Sequence, residues 1–436
     1  MSLLEEHPLR HTLNDEVHAR PPMALEAPEV VTYLAYLHHE GSAAREGAHL
    51  EELAHLLGVP APESDSGHVF LDAGEVRFKW ERHNEFSSYT FVRRASRPEI
   101  REDHACAAIP VAWREAIPGR LIIATHVVIR SAADEPPQPL SARLASGASP
   151  MVVSRISHGA GWVFTDFRIH DGFSRFLILT ESLTPRQIGR TLQRMLEIET
   201  YRVISLLAFP VAKRVASRLS LAEDELADLV TRLSRDASSD DERHVLQRLT
   251  HLAAGIEQSV ATTSYRFGAA AAYYDLLRLR IDELREIRVT GFPTIREFME
   301  RRLSPALATC ATVAQRQEDL SERVARNSQL LRTRVEVDIQ RQNQELLEQM
   351  NRRAKLQLRL QETVEGLSIV AITYYGSQLV HYLARGAAER YDYAPLTPDL
   401  ITAAAIPVIA TLVFLGTRRM RRKMAVEENK IDPRPS

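Results

Sequence analysis

Residues Gly366–Ala384 read GLSIVAITYYGSQLVHYLA and contain no Asp, Glu, Lys or Arg. They follow without a break a polar helical pattern that runs from about Pro305 to Glu365. A second uncharged run, LITAAAIPVIATLVFLG, covers Leu400–Gly416, and the segment between the two, RGAAERYDYAPLTPD, is short and polar. At about 1.5 Å per residue, runs of this length reach across roughly 30 Å of hydrocarbon. The pattern predicts a C-terminal two-helix transmembrane hairpin fed by a long helical stalk; two buried core helices are the competing reading.

Charge favours the membrane. Arg352, Arg353, Lys355 and Arg359 precede the first run, and Arg418, Arg419, Arg421, Arg422 and Lys423 follow the second. The segment between them balances Arg385 and Arg390 against Glu389, Asp392 and Asp399. A basic bias on both outer flanks places both termini in the cytoplasm of a bacterium, with the hairpin in the inner membrane. There the clusters would meet anionic headgroups, worth about 1 kcal/mol per Lys or Arg. The second run reads as the weaker span, because it is short and Ala-rich and because Pro407 frees a carbonyl that needs another partner.

The chain of 436 residues has room for more than one folded unit, and its formal charge of −2 gives a nucleic-acid partner no electrostatic support. Its two cysteines, Cys106 and Cys310, stand in unrelated contexts, which argues against a disulfide scaffold and a thiolate metal site. The opening MSLLEEHPLR lacks the basic and apolar regions of a signal peptide.

Residues 1–183 read as an α+β cytoplasmic domain with a mostly antiparallel sheet. A helix is expected from near Pro28 through VVTYLAYLHH, then a break at Gly41–Gly47 and a short helix in HLEELAHLLGV. The period then changes to two. Strands are expected in HVFLDAG, EVRFKWERH and SSYTFVRR, with Val76, Phe78 and Trp80 on one face and Arg77, Lys79 and Glu81 on the other. LIIATHVVIR, MVVSRIS, GWVFTDFRI and FSRFLILT supply further strands, with turns at Gly159–Gly161 and Asp171–Gly172.

Residues 184–304 read as helical. Thr184, Pro185 and Gln187 make a capping signature for a helix ending near Pro210. A shorter helix follows at Leu221–Leu233, then a long one from Ser239 toward Arg288, and a short one in TIREFMERRL. The stalk, 305–365, carries Leu320, Val324, Leu331, Val335, Ile339, Leu346, Met350, Leu356, Leu360 and Val364. Their mixed spacing is a helix stripe with interruptions rather than a regular coiled-coil heptad. A straight helix of that length, about 90 Å, needs neighbours or copies of itself, so a homo-oligomer is expected. The spans are then 366–384 and 400–416, with an external loop 385–399 and a basic tail 417–436.

Three clusters are candidate sites. His7, His11, Asn14, Asp15, Glu16, His18 and Arg20 gather imidazole and carboxylate near the start; such a set would hold a divalent cation, but the H-E-x-x-H zinc spacing is absent. Asp166, His170, Asp171 and Arg175 surround a turn with no nucleophile indicated. Trp80, His83, Glu85 and Tyr89 are strand and turn residues first. In the first apolar run, Thr373, Ser377 and His381 recur every four residues, with Tyr374 and Gln378 beside them. Lipid disfavours these groups, so that face should meet a partner helix or line a water-filled path. No enzyme motif stands above chance.

The runs RLRIDELREIRVTGFPTIREFMERRLSPALATC (278–310), LLRTRVE (330–336) and LQLRLQETVEGLS (356–368), with NDEVHARP (14–21), resemble one family. It is a bacterial membrane-anchored family known as domain of unknown function 3422; the likeness covers nearly the whole chain and carries over no catalytic residue. The layout alone is similar to CorA-type magnesium channels, which are pentameric with a pore-lining first span. Their Gly-Met-Asn motif is missing here, where His381-Tyr382-Leu383-Ala384-Arg385-Gly386 stands. The expected function is a membrane-anchored scaffold or regulatory protein facing the cytoplasm. The alternatives are a CorA-like ion channel and a metal-dependent enzyme built on the N-terminal cluster.

Overall fold

The computed structural model describes residues 7–11, 13–14, 21–39, 41–62, 67–95, 104–138, 140, 151–234, 239–388 and 397–431. The chain forms two compact units, Met1–Leu331 and Arg332–Ser436.

Among the described residues, the first unit is built on a sheet whose nine strands are β1 (Glu29–Leu37), β2 (His68–Asp72), β3 (Val76–Arg82), β4 (Phe86–Arg94), β5 (Arg120–Ser131), β6 (Val152–Ile156), β7 (Gly161–Thr165), β8 (Ser174–Thr180) and β9 (Ile287–Arg288). Their order is β2-β3-β4-β1-β5-β8-β7-β6-β9. Every neighbouring pair is antiparallel except β5 and β8, which run parallel from Thr125 opposite Ser174 to Ser131 opposite Thr180.

β1 corrects the helix expected after Pro28. VVTYLAYL lies in an interior strand, fourth in the sheet order, paired to β4 and β5, and Glu29–Ala35 are buried. Its two faces enter two different cores. Val31, Tyr33 and Ala35 face helices α3 (Pro185–Leu206), α5 (Ser239–Leu284) and α6 (Ile295–Arg302), meeting Leu192, Met195, Ile281 and Met299. Val30 and Leu34 face α1 (Ser42–Leu57) and α2 (Val111–Glu115), meeting Leu50, Leu53 and Trp113. A strand covered on both sides shows a continuous apolar run, which length and pattern alone do not separate from a helix. Each fully buried Val, Leu or Ile contributes about 1.5–3 kcal/mol.

α1 begins directly after Gly41 (φ 75°), so it includes the stretch expected to be a break, and it ends at Gly58 (φ 67°). α3 starts as expected: the Thr184 backbone N–H donates to Gln187 Oε1 at 2.8 Å. It gives way after Leu206 to α4 (Ala208–Ser234), a single helix where a separate one at Leu221–Leu233 was expected. Pro210 lies in the first turn of α4, where its missing N–H costs nothing.

α7 (Ser304–Ala388) is continuous through both the stalk and the first apolar run. Leu307, Cys310, Val313, Gln317, Leu320, Val324 and Leu331 form its buried stripe, and Gln317 Nε2 donates to Ser259 Oγ of α5 at 2.9 Å. α8 (Pro398–Ile431) carries the second run, with Pro407 inside it.

Candidate functional site

A polar cavity of about 310 Å³ lies between one face of the sheet and α3. Register places its floor. Lys79 of β3 is opposite Thr90 of β4, and Thr90 is opposite Tyr33 of β1; one pleat on, Glu81 is opposite Ser88. All five point to the side occupied by α3, where the neighbouring strands carry Val127, Ile129, Phe176 and Ile178. Polar residues at inward positions of a sheet break the pattern that packing favours, and such breaks concentrate at functional places.

α3 supplies the opposite wall. Gln193, Glu197, Thr200 and Tyr201 share one side of the helix, and Leu192 and Leu196 add an apolar strip. Arg280 of α5 closes one end through an ion pair with Glu197 and a 3.2 Å contact to Glu283. Lys79 Nζ sits 2.9 Å from Glu81 Oε1 and donates to the Pro21 carbonyl at 3.1 Å. The Tyr33 hydroxyl and Thr200 Oγ1 are 3.0 Å apart. The Thr90 and Tyr201 side chains, 5% and 8% exposed, line the cavity with hydroxyls that take no hydrogen bond among the described residues.

Burial, chiefly, pushes the Tyr33 and Tyr201 phenols well above the ordinary tyrosine range, and Glu81 and Glu197 reinforce this. Both stay protonated at neutral pH, so they serve as hydrogen-bonding groups and not as bases. The cavity therefore presents hydrogen-bond donors and acceptors in fixed places.

The sequence pattern had put Arg77, Lys79 and Glu81 on one face of β3, and they do share it. That face is covered by protein: Lys79 is 7% exposed. Arg77 binds Glu29 at 2.5 Å and the Ala24 carbonyl at 2.6 Å. The alternation of Ser88 and Thr90 with Tyr89 and Phe91 in β4 was the available signal.

The other clusters resolve into local pairs. His170 Nε2 meets Asp166 Oδ2 at 2.7 Å, and Arg175 meets Asp171 at 2.7 Å. Trp80 and Tyr89 belong to the core under α1; His83 stacks on Phe86 at 4.3 Å, and Glu85 pairs with Arg266. On that side of the sheet Ser87 Oγ lies 2.9 Å from His38 Nε2. Glu46 approaches the same nitrogen, at 3.8 Å, so it does not orient the ring through Nδ1 as a catalytic triad requires.

Of the N-terminal cluster, His7 Nδ1 accepts from the Leu9 N–H at 3.2 Å; Asp15, Glu16, His18 and Arg20 lie outside the described residues. Among the described residues no three or more His, Cys, Asp or Glu gather to hold a metal ion.

In the second unit, Thr373 and Ser377 return their hydroxyls to the Ile369 and Tyr374 carbonyls at 2.7 and 2.8 Å. His381 Nδ1 lies 3.2 Å from Thr402 Oγ1 of α8. Gly376 faces Ile409, so that a Cβ there would stand 3.1 Å from its Cγ2. Tyr374 is exposed and Gln378 half-buried. Among the described residues one helical stretch is long and apolar enough to cross a membrane, Pro398–Met420, with a mean hydropathy of 2.2 and none of its apolar window buried. This reverses the expected ranking of the two runs: the hydroxyls, amide and imidazole between Thr373 and His381 lower the apolarity of the first, whereas Ala and Pro barely lower that of the second.

The family described as protein of unknown function (DUF3422) matches residues 5–424. The chain belongs to it. The match takes in the quoted runs of α5, α6 and α7 and the NDEVHARP segment that leads to Pro21, on the rim of the cavity. No curated protein and no solved structure matches the chain, so the layout likeness to CorA-type channels finds no support there.

Proposed function

We propose that this protein is a membrane-anchored regulatory protein whose N-terminal unit binds a small polar molecule in the cavity under α3. The observation that carries the reading is the row Lys79–Thr90–Tyr33, three polar side chains in register beside the Glu81–Ser88 pair on the sheet face that α3 covers. Burying such groups has a cost that a purely structural core avoids with Val or Ile. Loss of ligand-induced stabilisation in Lys79→Met and Thr90→Val variants tests the site.

Anchoring is supported by the exposed apolar window of α8, beside which Arg418 and Arg419 stand. In the fuller reading the apolar end of α7 enters the bilayer too, as a hairpin with both termini in the cytoplasm of a bacterial cell. The contacts of His381 with Thr402 and of Gly376 with Ile409 favour it. They also favour a helix-packing role for Thr373, Ser377 and His381 over a conducting path. The exposed Leu346, Met350, Leu356, Leu360 and Val364 support self-association through α7. Alkaline extraction of membranes should leave the protein in the pellet, liposomes should show no ion flux, and native mass measurement in mild detergent should give a multimer. A product that fractionates as soluble without detergent would sink the anchor.

A further inference from the structure

Resting on the proposal that the cavity binds a ligand, we infer that its ligand is a small amino-acid-type zwitterion, one ammonium and one carboxylate on a short apolar body. Five observations point the same way. The lining carries two cations, Lys79 and Arg280, and two anions, Glu81 and Glu197, so its formal charge balances. A charge-balanced, partly buried site leaves the charge of a net anion or cation uncompensated, which is costly where water is partly excluded.

The charges are also divided between walls. Lys79 and Glu81 stand together on the sheet, and Glu197 with Arg280 on the helical side, each cation beside an anion. A ligand with both charges can therefore place its carboxylate against an N–H donor and its ammonium against a carboxylate at once. Charge-assisted hydrogen bonds of this kind are roughly twice as strong as neutral ones. A sugar or polyol would need only hydroxyls and amides, and gives no reason to line the cavity with four charged side chains.

The Thr90 and Tyr201 hydroxyls, buried and open to the cavity, supply the remaining polar contacts. Met23, Phe86, Leu192 and Leu196 form a patch for an aliphatic side chain. The volume of about 310 Å³ stands at the small end of ligand pockets, which suits one amino acid.

The test uses the full chain in mild detergent, with L-valine, L-valinamide, isovalerate, glucose and inorganic phosphate as probes in calorimetric titration and thermal shift. L-valine should bind, whereas valinamide and isovalerate, each lacking one charge, should bind at least about tenfold more weakly. Lys79→Met should lose L-valine binding by a similar factor; if that variant does not fold, Tyr201→Phe and Thr90→Val carry the same expectation at smaller size. Binding of phosphate, glucose or isovalerate in preference to L-valine, abolished by Lys79→Met, would overturn the zwitterion and keep the ligand site. No response to any probe, in a protein that melts cooperatively, would overturn both.

Discussion

Gly189 of α3 lies directly under the Met23 carbonyl: a Cβ on it would stand 1.7 Å from that oxygen. The contact lets the 21–25 segment cross the helix at backbone distance, where the Leu25 N–H donates to the Pro185 carbonyl at 3.1 Å. Lys79 holds the Pro21 carbonyl from the other side. The segment after NDEVHAR is thereby clamped over one rim of the cavity. Gly189→Ala should displace it. The expected loss is about 1–3 kcal/mol, the usual cost of overpacking, together with weaker ligand binding. A denaturation midpoint and a binding constant both equal to the wild type would refute the clamp.

His126 makes stability depend on pH. Burial, then neighbouring His104, then Arg175 hold its imidazole down to about 3 from an ordinary 6.5. Folded, it stays neutral; unfolded, it takes a proton as the pH falls below about 6.5. The unfolded state binds the extra proton, so stability is full above that value and is lost on acidification, by about 1.4 kcal/mol per pH unit at most. Between pH 7.5 and 5.0 the chemical denaturation midpoint should fall, and in His126→Gln it should fall less. His49, also pushed down chiefly by burial, leaves a remainder of the same sign. An unchanged pH dependence in the variant would show that His126 is not the cause.

Glu286 caps α6. Its Oε1 accepts from the Ile295 N–H at 2.9 Å and from Ser154 Oγ at 2.5 Å, and its Oε2 accepts from the Arg296 N–H at 3.1 Å. One carboxylate thus joins a helix N-terminus to strand β6. Glu286→Ala should cost about 2–3 kcal/mol, since it strands the Arg296 N–H, leaves the Ile295 N–H only its longer bond to Ser154 Oγ at 3.3 Å, and removes the negative charge from the positive end of the helix. Thr294→Ala, which removes only the hydroxyl accepting from the Glu297 N–H at 3.1 Å, should cost about 1 kcal/mol. Equal losses in urea titrations would contradict this ordering.

The contact between α7 and α8 can be read by labelling. Gly376→Leu would drive a side chain into Ile409. A reporter Ala405→Cys, half-buried in the wild type, should then react faster with maleimide. Both natural cysteines are buried, which keeps the background low. Equal rates in the two backgrounds would mean that the glycine does not set the spacing.

Much of the fold was legible because alternation and capping are local. β2 to β8 and the Thr184 and Thr294 helix starts follow from residue types a few positions apart. β1 was misread because burial on both faces erases the alternation of VVTYLAYL, and β9 is too short to show a pattern. The cavity was hidden for another reason. Lys79 and Glu81 look like the wet face of a strand, and only the arrival of α3, over a hundred residues later, encloses them. The polar groups of the first apolar run were visible, but Thr402, the partner of His381, lies on another helix, and periodicity within one helix does not encode which residue of the next will meet it.

The placement of β9 has a consequence for biogenesis. Ile287–Arg288 completes the edge of the sheet beside β6, and Ser154 is tied to Glu286. A nascent chain that has not yet released these residues lacks a closing strand, however long its first eight have waited on the ribosome. The sheet of the first unit therefore cannot be completed until synthesis has passed Arg288, more than a hundred residues after β8 is made.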